Sequence, residues 1–324
     1  MVRRIPDGLL ARHRFHWGEA VFWVSALAVF SLFPGYLTLA TTALIMALFA
    51  LSLDLAMGFA GIVTLGHATF FGLGAYGAGL LAVEGYQEPI MGAVAGGVLA
   101  AVVALGVGPL ILRLEGLPLL MVTLSIGLLF YEGANKLTWL TGGDDGLQGI
   151  EIAPLLGQFP FTVYGHTGYL YALAWLFVLF VAMRRLVASP FGVSLQGIRE
   201  NRARMRLVGT PVLGHLVLAY AISAFMAGVA GAVSAQTTKF VGLAVFSLDT
   251  SADVMVMLVL GGIGRIYGAL LGAPIYVVVK DFAAAWNPYH WMFVIGGLLV
   301  VVVRFARGGI LGMLDAAASR MAPR

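Results

Sequence analysis

Asp54 and His67 stand on either side of the stretch GFAGIVTLG, whose glycines are Gly58, Gly61 and Gly66. An acid and a histidine beside a broken backbone can relay a proton or hold a polar solute. Both lie in or next to long apolar runs, and an ionisable group there is a functional hypothesis by default. Both also fall near the end of a run, where water or helix-end contacts satisfy them equally well. A second polar series, Thr123, Ser125, Glu132 and Asn135, lies along another run. These residues fit a polar path or hydrogen bonds between helices. Glu132 and Lys136 are four apart and can pair on a helix.

Other chemistries lack their residues. There is no cysteine, which removes disulfides, thiolate metal sites and thiol nucleophiles. The six histidines are scattered without HExxH spacing, so no metal site is expected. No GxSxG elbow supports hydrolase chemistry. No GxxxxGK[ST] is present, so the chain is expected neither to hydrolyse ATP nor to bind a cofactor itself. Gly72, Gly74 and Gly77 spell GxGxxG, but between apolar helical flanks rather than a strand and a helix. With no site for catalysis, transport is the default role.

The elements that must carry these residues are membrane helices. The chain of 324 residues is 60% hydrophobic and 10% charged, against about 25% charged in soluble domains. Ten apolar runs are long enough, or nearly so, to span a bilayer: about 20–37, 38–57, 67–83, 89–112, 118–140, 168–187, 213–235, 246–260, 266–286 and 291–305. The eighth is short, and eight spans also satisfy the charge pattern. Counting from an inside N-terminus, all sixteen arginines fall on one side. The three lysines and most acids fall at or near the other. Excess basic residues mark the cytoplasmic face, so both termini are expected inside. The same rule explains the net charge of +4 without nucleic acid. The three glycines from Gly58 to Gly66 favour a broken or re-entrant backbone, which membranes tolerate where protein covers it or it lines a cavity. A tight inner turn fits them as well. The pairs Gly92–Gly96 and Gly268–Gly272 allow close helix approach. The fold expected is an all-α polytopic bundle forming one domain over residues 1–324.

Two loops stand out. Residues 189–209, SPFGVSLQGIRENRARMRLVG, follow a break at Pro190 and Gly192. From Ser194 to Val208 the spacing predicts a short helix. Its apolar stripe is Leu195, Ile198, Met205 and Val208, and its charged face carries Arg199, Glu200, Arg202 and Arg206. Such a helix fits a partner's groove, the lipid interface, or a simple positive loop. Residues 141–168 begin TGGDDGLQGI, in which Asp144 and Asp145 sit among turn formers. They fit a contact with another protein or a solvated turn.

These segments resemble the LivM-type permeases of ABC importers for branched-chain amino acids. In 189–209, Pro190, Phe191, Gly192, Leu195, Ile198, Arg199, Glu200, Asn201 and Gly209 match that family's cytoplasmic coupling loop. From Leu51 to Gly79 the matches include Gly58, Phe59, Gly61, Gly66, His67, Phe70, Gly72 and Tyr76. Ile62 stands where a glutamine is common. TGGDDGL matches in the outer loop. Gly261, Gly262, Gly264, Gly268 and Gly272 match near the C-terminus, with Arg265 in place of a small serine. Together the blocks cover about residues 38–315.

The resemblance implies alternating access in an inner-membrane complex. Its partners would be a second permease, two ATPase subunits that use ATP and Mg, and a periplasmic binding protein. It also implies that 189–209 docks the ATPase and that Asp144 and Asp145 face the binding protein. The solutes implied are branched-chain amino acids or related small amino acids, amides and carboxylates. The alternative is a secondary transporter driven by an ion gradient through Asp54 or Glu132, without an ATPase.

Overall fold

The computed structural model describes residues 17–155, 157–161, 165–287, 290–293, 295–297, 300 and 309–312. Its main elements are helices: α1 (Trp17–Leu32), α2 (Leu37–Leu53), α3 (Ala68–Val83), α4 (Pro89–Ile111), α5 (Leu117–Lys136), α6 (Thr138–Thr141), α7 (His166–Ala188), α8 (Pro190–Glu200), α9 (Arg202–Leu207), α10 (Val212–Thr238), α11 (Leu248–Gly261) and α12 (Ile266–Trp286). A π-helical segment, Asp54–Phe59, continues α2. Among the described residues there is no strand, only isolated bridges such as Leu147 with Val241.

Among the described residues, six helices are long and apolar enough to cross a membrane: Pro34–Phe59, Pro89–Ile111, Leu117–Lys136, His166–Ala188, Val212–Thr238 and Ile266–Trp286. The first and third expected spans give the shorter apolar helices Phe22–Leu32 and Ala68–Val83. The eighth gives the fourteen-residue α11, which stops where Gly262 takes φ +114°, a backbone state suited to glycine. Most of the tenth lies outside the described residues. So do Arg3, Arg4, Arg12, Arg14, Arg304, Arg307, Arg320 and Arg324.

Helices α2 and α10 form the centre. Both are apolar on all sides, as a helix surrounded by protein must be, and 78% of each apolar window is buried. α10 packs on α3, α4 and α2, and α2 also packs on α7 and α12. Glycine permits the closest crossings. A Cβ on Gly74 would overlap the Gly228 carbonyl, and one on Gly231 would overlap the Phe71 carbonyl. Gly96, from one expected small-residue pair, lies against the Gly74 carbonyl. Gly272, from the other, lies against Met257 and Gly261.

The bundle has two chemically distinct ends. At one end Pro89 O accepts hydrogen bonds from Gln236 Nε2 (2.8 Å) and Tyr171 Oη (2.9 Å). There too Leu147 N donates to Val241 O at 2.8 Å, tying the 141–168 loop to the residues after α10. Lys136 and Lys239 close α5 and α10 at this end. The opposite end gathers Gly58–Gly61, Glu115, α8, α9 and Gly264. Helices α4, α7 and α11 run toward it, and α5, α10 and α12 start from it. The eight described arginines, at 113, 184, 185, 199, 202, 204, 206 and 265, therefore share one end.

Candidate functional site

The glycine-rich stretch is broken, and the break is built from named contacts. After Leu53 the helix widens, with Ala60 N donating to Leu55 O (3.1 Å) and Ile62 N to Ala56 O (2.8 Å). Residues 60–67 then carry no regular helix before α3. A π turn inside a helix is rare and often marks a functional site. Asp54, at its start, is fully buried. Its Oδ1 accepts from Gly264 N at 2.7 Å, which links the segment to the turn between α11 and α12. Its Oδ2 has no hydrogen-bond partner. Gly58 sits one helical turn on, where a Cβ would overlap the Asp54 carboxylate. Gly61 has φ +72°, where a side chain is strained.

His67 is fully buried at the far edge of the break. Its Nε2 lies 2.9 Å from Ser52 Oγ. Ser52 spends its single hydroxyl hydrogen on Phe49 O at 2.6 Å. It therefore accepts from an Nε2–H tautomer, which leaves Nδ1 as an unpaired acceptor. The ring stacks on Phe49 at 5.4 Å. Ser223 on α10 donates to Ser52 O at 2.6 Å, fixing α10 to α2 at this level. Just beyond, Ala68 N donates to Ser251 Oγ (3.0 Å) and Leu65 N to Thr123 Oγ1 (3.3 Å). Gly66 lies flat against the Thr123 carbonyl. The break is thus anchored to α2, α5, α10 and α11 at once.

A cavity of about 200 Å³ opens beside this anchor. It is lined by Leu65, Gly66, Leu124, Gly127, Leu128, Tyr131, Phe246, Ser247, Leu248 and Ser251. Its walls come from α5, α11 and the turn before α11, at the edge of the chain. α5 is the least buried of the six long helices, with 22% of its apolar window covered. The lining is aliphatic and aromatic, with three hydroxyls and no charged side chain.

The polar residues named along α5 do not converge. Helical periodicity turns Thr123 and Gly127 inward. Ser125 is exposed and bonds Met121 O in its own helix (2.9 Å), and Glu132 is exposed. Asn135 lies farther along, near Gly143. Glu132 and Lys136 make no ion pair among the described residues. A different pair is present: Lys280 Nζ lies 2.6 Å from Asp253 Oδ2, and Tyr276 Oη donates to Oδ1. Sequence reasoning passed over it, although an acid inside DVMVMLVLG and a lysine inside IYVVVKDF both interrupt apolar helices.

The 189–209 segment is two helices rather than one. Ser189 is extended, as a residue before proline prefers, and its Oγ caps α8 at Gly192 N (3.4 Å). Asn201 breaks the helix with φ −159°, and its Oδ1 caps α9 at Arg204 N (2.9 Å). The single stripe is split accordingly. Leu195 and Ile198 are buried, whereas Val208 is 75% exposed. Phe191 stacks on His215 of α10 at 5.4 Å, and Gly209 ends α9 with φ +89°. Glu200 and Asn201 are exposed. Arg199 turns back onto the bundle, donating from Nη1 to Gly58 O. A groove of about 460 Å³ runs between Glu115–Gly116 and residues 198–206, with Arg202 paired to Glu115 at 3.2 Å. At the other end of the bundle, Asp144 and Asp145 are exposed on a short 3-10 turn.

The family described as branched-chain amino acid transport system / permease component matches residues 35–303. The high-affinity branched-chain amino acid transport system permease protein LivM of Escherichia coli K12 is 29% identical, over 91% of this chain and 75% of that protein. Its namesake from Salmonella typhimurium is 30% identical, over 86% of this chain and 70% of that protein. The autoinducer 2 import system permease protein LsrC of an Enterobacter species is 28% identical, over 87% and 86%. No solved structure matches. A chain whose described residues are helical and include six helices able to cross a membrane, matched by this family over most of its length, is a multi-pass membrane transport protein and belongs to the branched-chain amino acid transport system permease family.

Proposed function

We propose that this chain is one of two permease subunits of an ATP-binding cassette importer in the bacterial inner membrane, with its arginine-rich end in the cytoplasm. Its partners are a second homologous permease, two ATPase subunits that bind ATP and Mg, and a periplasmic binding protein. The ATPase docks on 189–209, and the binding protein meets the 141–168 loop around Asp144 and Asp145. The solute is a branched-chain amino acid or a related small amino acid, amide or carboxylate. The LivM relatives favour the first, and the autoinducer 2 permease keeps other solutes open.

The observation that carries this reading is the seat of α8. The helix lies on the ends of α7 and α10 and on the π segment, so a push on it reaches the break directly. The cavity supports a paired rather than a solitary chain, because it lies at the edge while α2 and α10 fill the centre. The test is gentle purification of the tagged chain from its own membrane. Recovery of a second permease and ATPase subunits is the expected result. A chain that comes alone, and drives gradient-dependent uptake in liposomes without ATP, would overturn it.

A further inference from the structure

The family resemblance implies an ATPase contact for Arg199, yet the head of this exposed side chain bonds the bundle. Nη1 reaches Gly58 O at the end of the π segment. Gly264, in the turn between α11 and α12, lies so close that a Cβ there would stand 2.8 Å from Nη1. The stem lies along Gly61, where a Cβ would stand 3.0 Å from Cγ. Three glycines from two turns therefore line one side of an arginine that stays open to solvent on the other. Gly61 and Gly264 have φ +72° and +76°, and Gly58 faces the Asp54 carboxylate, so none of the three positions accepts a side chain without displacement. Asp54 Oδ1 holds Gly264 N at 2.7 Å and fixes the distance between the turns. Arg199 and Glu200 are both exposed, but of the two it is the Arg199 head that reaches the turns.

We infer that Arg199 is a positioning residue that ties α8 to both helix-breaking turns at once, so that a displacement of α8 moves the end of α2 and the α11–α12 turn together, while other residues of the 189–209 segment hold the ATPase. The inference rests on the importer reading and deepens it. A guanidinium suits the task because its planar fork donates in several directions from one fixed head, which an ammonium does not match.

The experiment uses the complete transporter with both permeases and the ATPase. R199M is expected to retain its ATPase subunits and to keep ATP hydrolysis within about twofold. Transport should fall about tenfold, the scale of one lost charged hydrogen bond. R199K should recover part of the transport. This chain has no cysteine, so I263C, placed in the α11–α12 turn, is its single thiol and is read on this subunit after the complex is separated by gel. Its labelling by an impermeant thiol reagent should differ between nucleotide-free and nucleotide-trapped transporter when Arg199 is present. The difference should vanish with R199M. Loss of the ATPase from R199M, transport that falls only in step with hydrolysis, or nucleotide-dependent labelling that survives R199M would each overturn the inference. If the unaltered chain recovers no ATPase, the importer reading itself fails, and that is visible before any variant is made.

Discussion

Asp54 separates a structural anchor from a transport group. It is fully buried, with Oδ1 on Gly264 N at 2.7 Å and Oδ2 without a partner. D54N keeps the shape and an oxygen for Gly264 N–H. For an ionised Asp54 it exchanges a charged acceptor bond, worth about 1.5–3 kcal/mol, for a neutral one worth about 0.5–1.5 kcal/mol. Removing a buried charge whose second oxygen is unpaired offsets part of that loss of about 1 kcal/mol. D54A removes the acceptor altogether. The stranded N–H costs about 1–3 kcal/mol, and the space left by the carboxylate adds a cavity penalty. D54N is therefore expected to unfold close to the unaltered protein, with D54A about 2–3 kcal/mol less stable. Thermal unfolding of the purified complex in detergent, followed by tryptophan fluorescence, measures the order. Uptake into vesicles from the same preparations measures function, and D54N should keep most of it. Equal destabilisation by both variants would refute the hydrogen bond as the anchor. A stable D54N without transport would refute the structural assignment and favour the gradient-driven alternative.

Other changes test the packing and the anchors. G231A should destabilise the bundle by about 1–3 kcal/mol, because its Cβ overlaps the Phe71 carbonyl, whereas G214A on the same helix meets nothing within 4 Å and should be neutral or slightly stabilising in the same melt. T123V strips the hydroxyl that receives Leu65 N and donates to Leu120 O; a loss of about 1 kcal/mol with reduced uptake is expected, and unchanged uptake would remove Thr123 from the path. D253L takes the carboxylate from Lys280, which is 38% exposed and keeps the Trp291 ring 5.0 Å away, and should melt modestly below the double variant D253L/K280M. Identical melts for the single and double variants would show that solvent already screens the pair.

The features legible in the sequence were those governed by local backbone chemistry. Glycine spacing pointed to a broken segment or a tight turn after α2, and the broken form is present; Pro190 and Gly192 pointed to a break before a helix from Ser194, whereas α8 starts at Pro190 itself and includes Gly192. The charge asymmetry placed the described arginines at one end. Features that depend on partners distant in sequence were not legible. Asp253 and Lys280 are 27 residues apart and meet only because α11 and α12 fold back on each other. Asn201 looked like one more polar residue on a helix, but its side chain satisfies Arg204 N and so allows the break. Arg199 was assigned to the charged face. It is exposed there, as that face requires, but it lies one residue after the buried Ile198, and that flanking position was the available hint that its head reaches Gly58 O. Glu132 and Lys136 had the right spacing, but both side chains are exposed, where a pair gains little over water.

The edge cavity bears on what the chain can carry alone. Its walls offer Leu65, Leu124, Leu128, Leu248 and Phe246 to an aliphatic side chain, and Tyr131, Ser247 and Ser251 as hydroxyl partners. They offer no fixed charge to an ammonium or a carboxylate. A zwitterion loses strong hydration on entering such a site and needs several donors and acceptors in return. Under the proposed importer reading, this wall would therefore recognise only the apolar half of an amino acid. The remaining partners must come from a surface facing α5 and α11, which the proposed second permease would supply. Chemical discrimination among solutes then rests with that second surface and with the binding protein that delivers the solute. Substitutions in the α5–α11 wall, such as L124F to narrow it, should change transport rate for bulky and small aliphatic solutes differently, with little effect on charge preference. A charge preference that shifts with L124F would mean that this wall meets the charged groups after all, and the two-surface argument would fail.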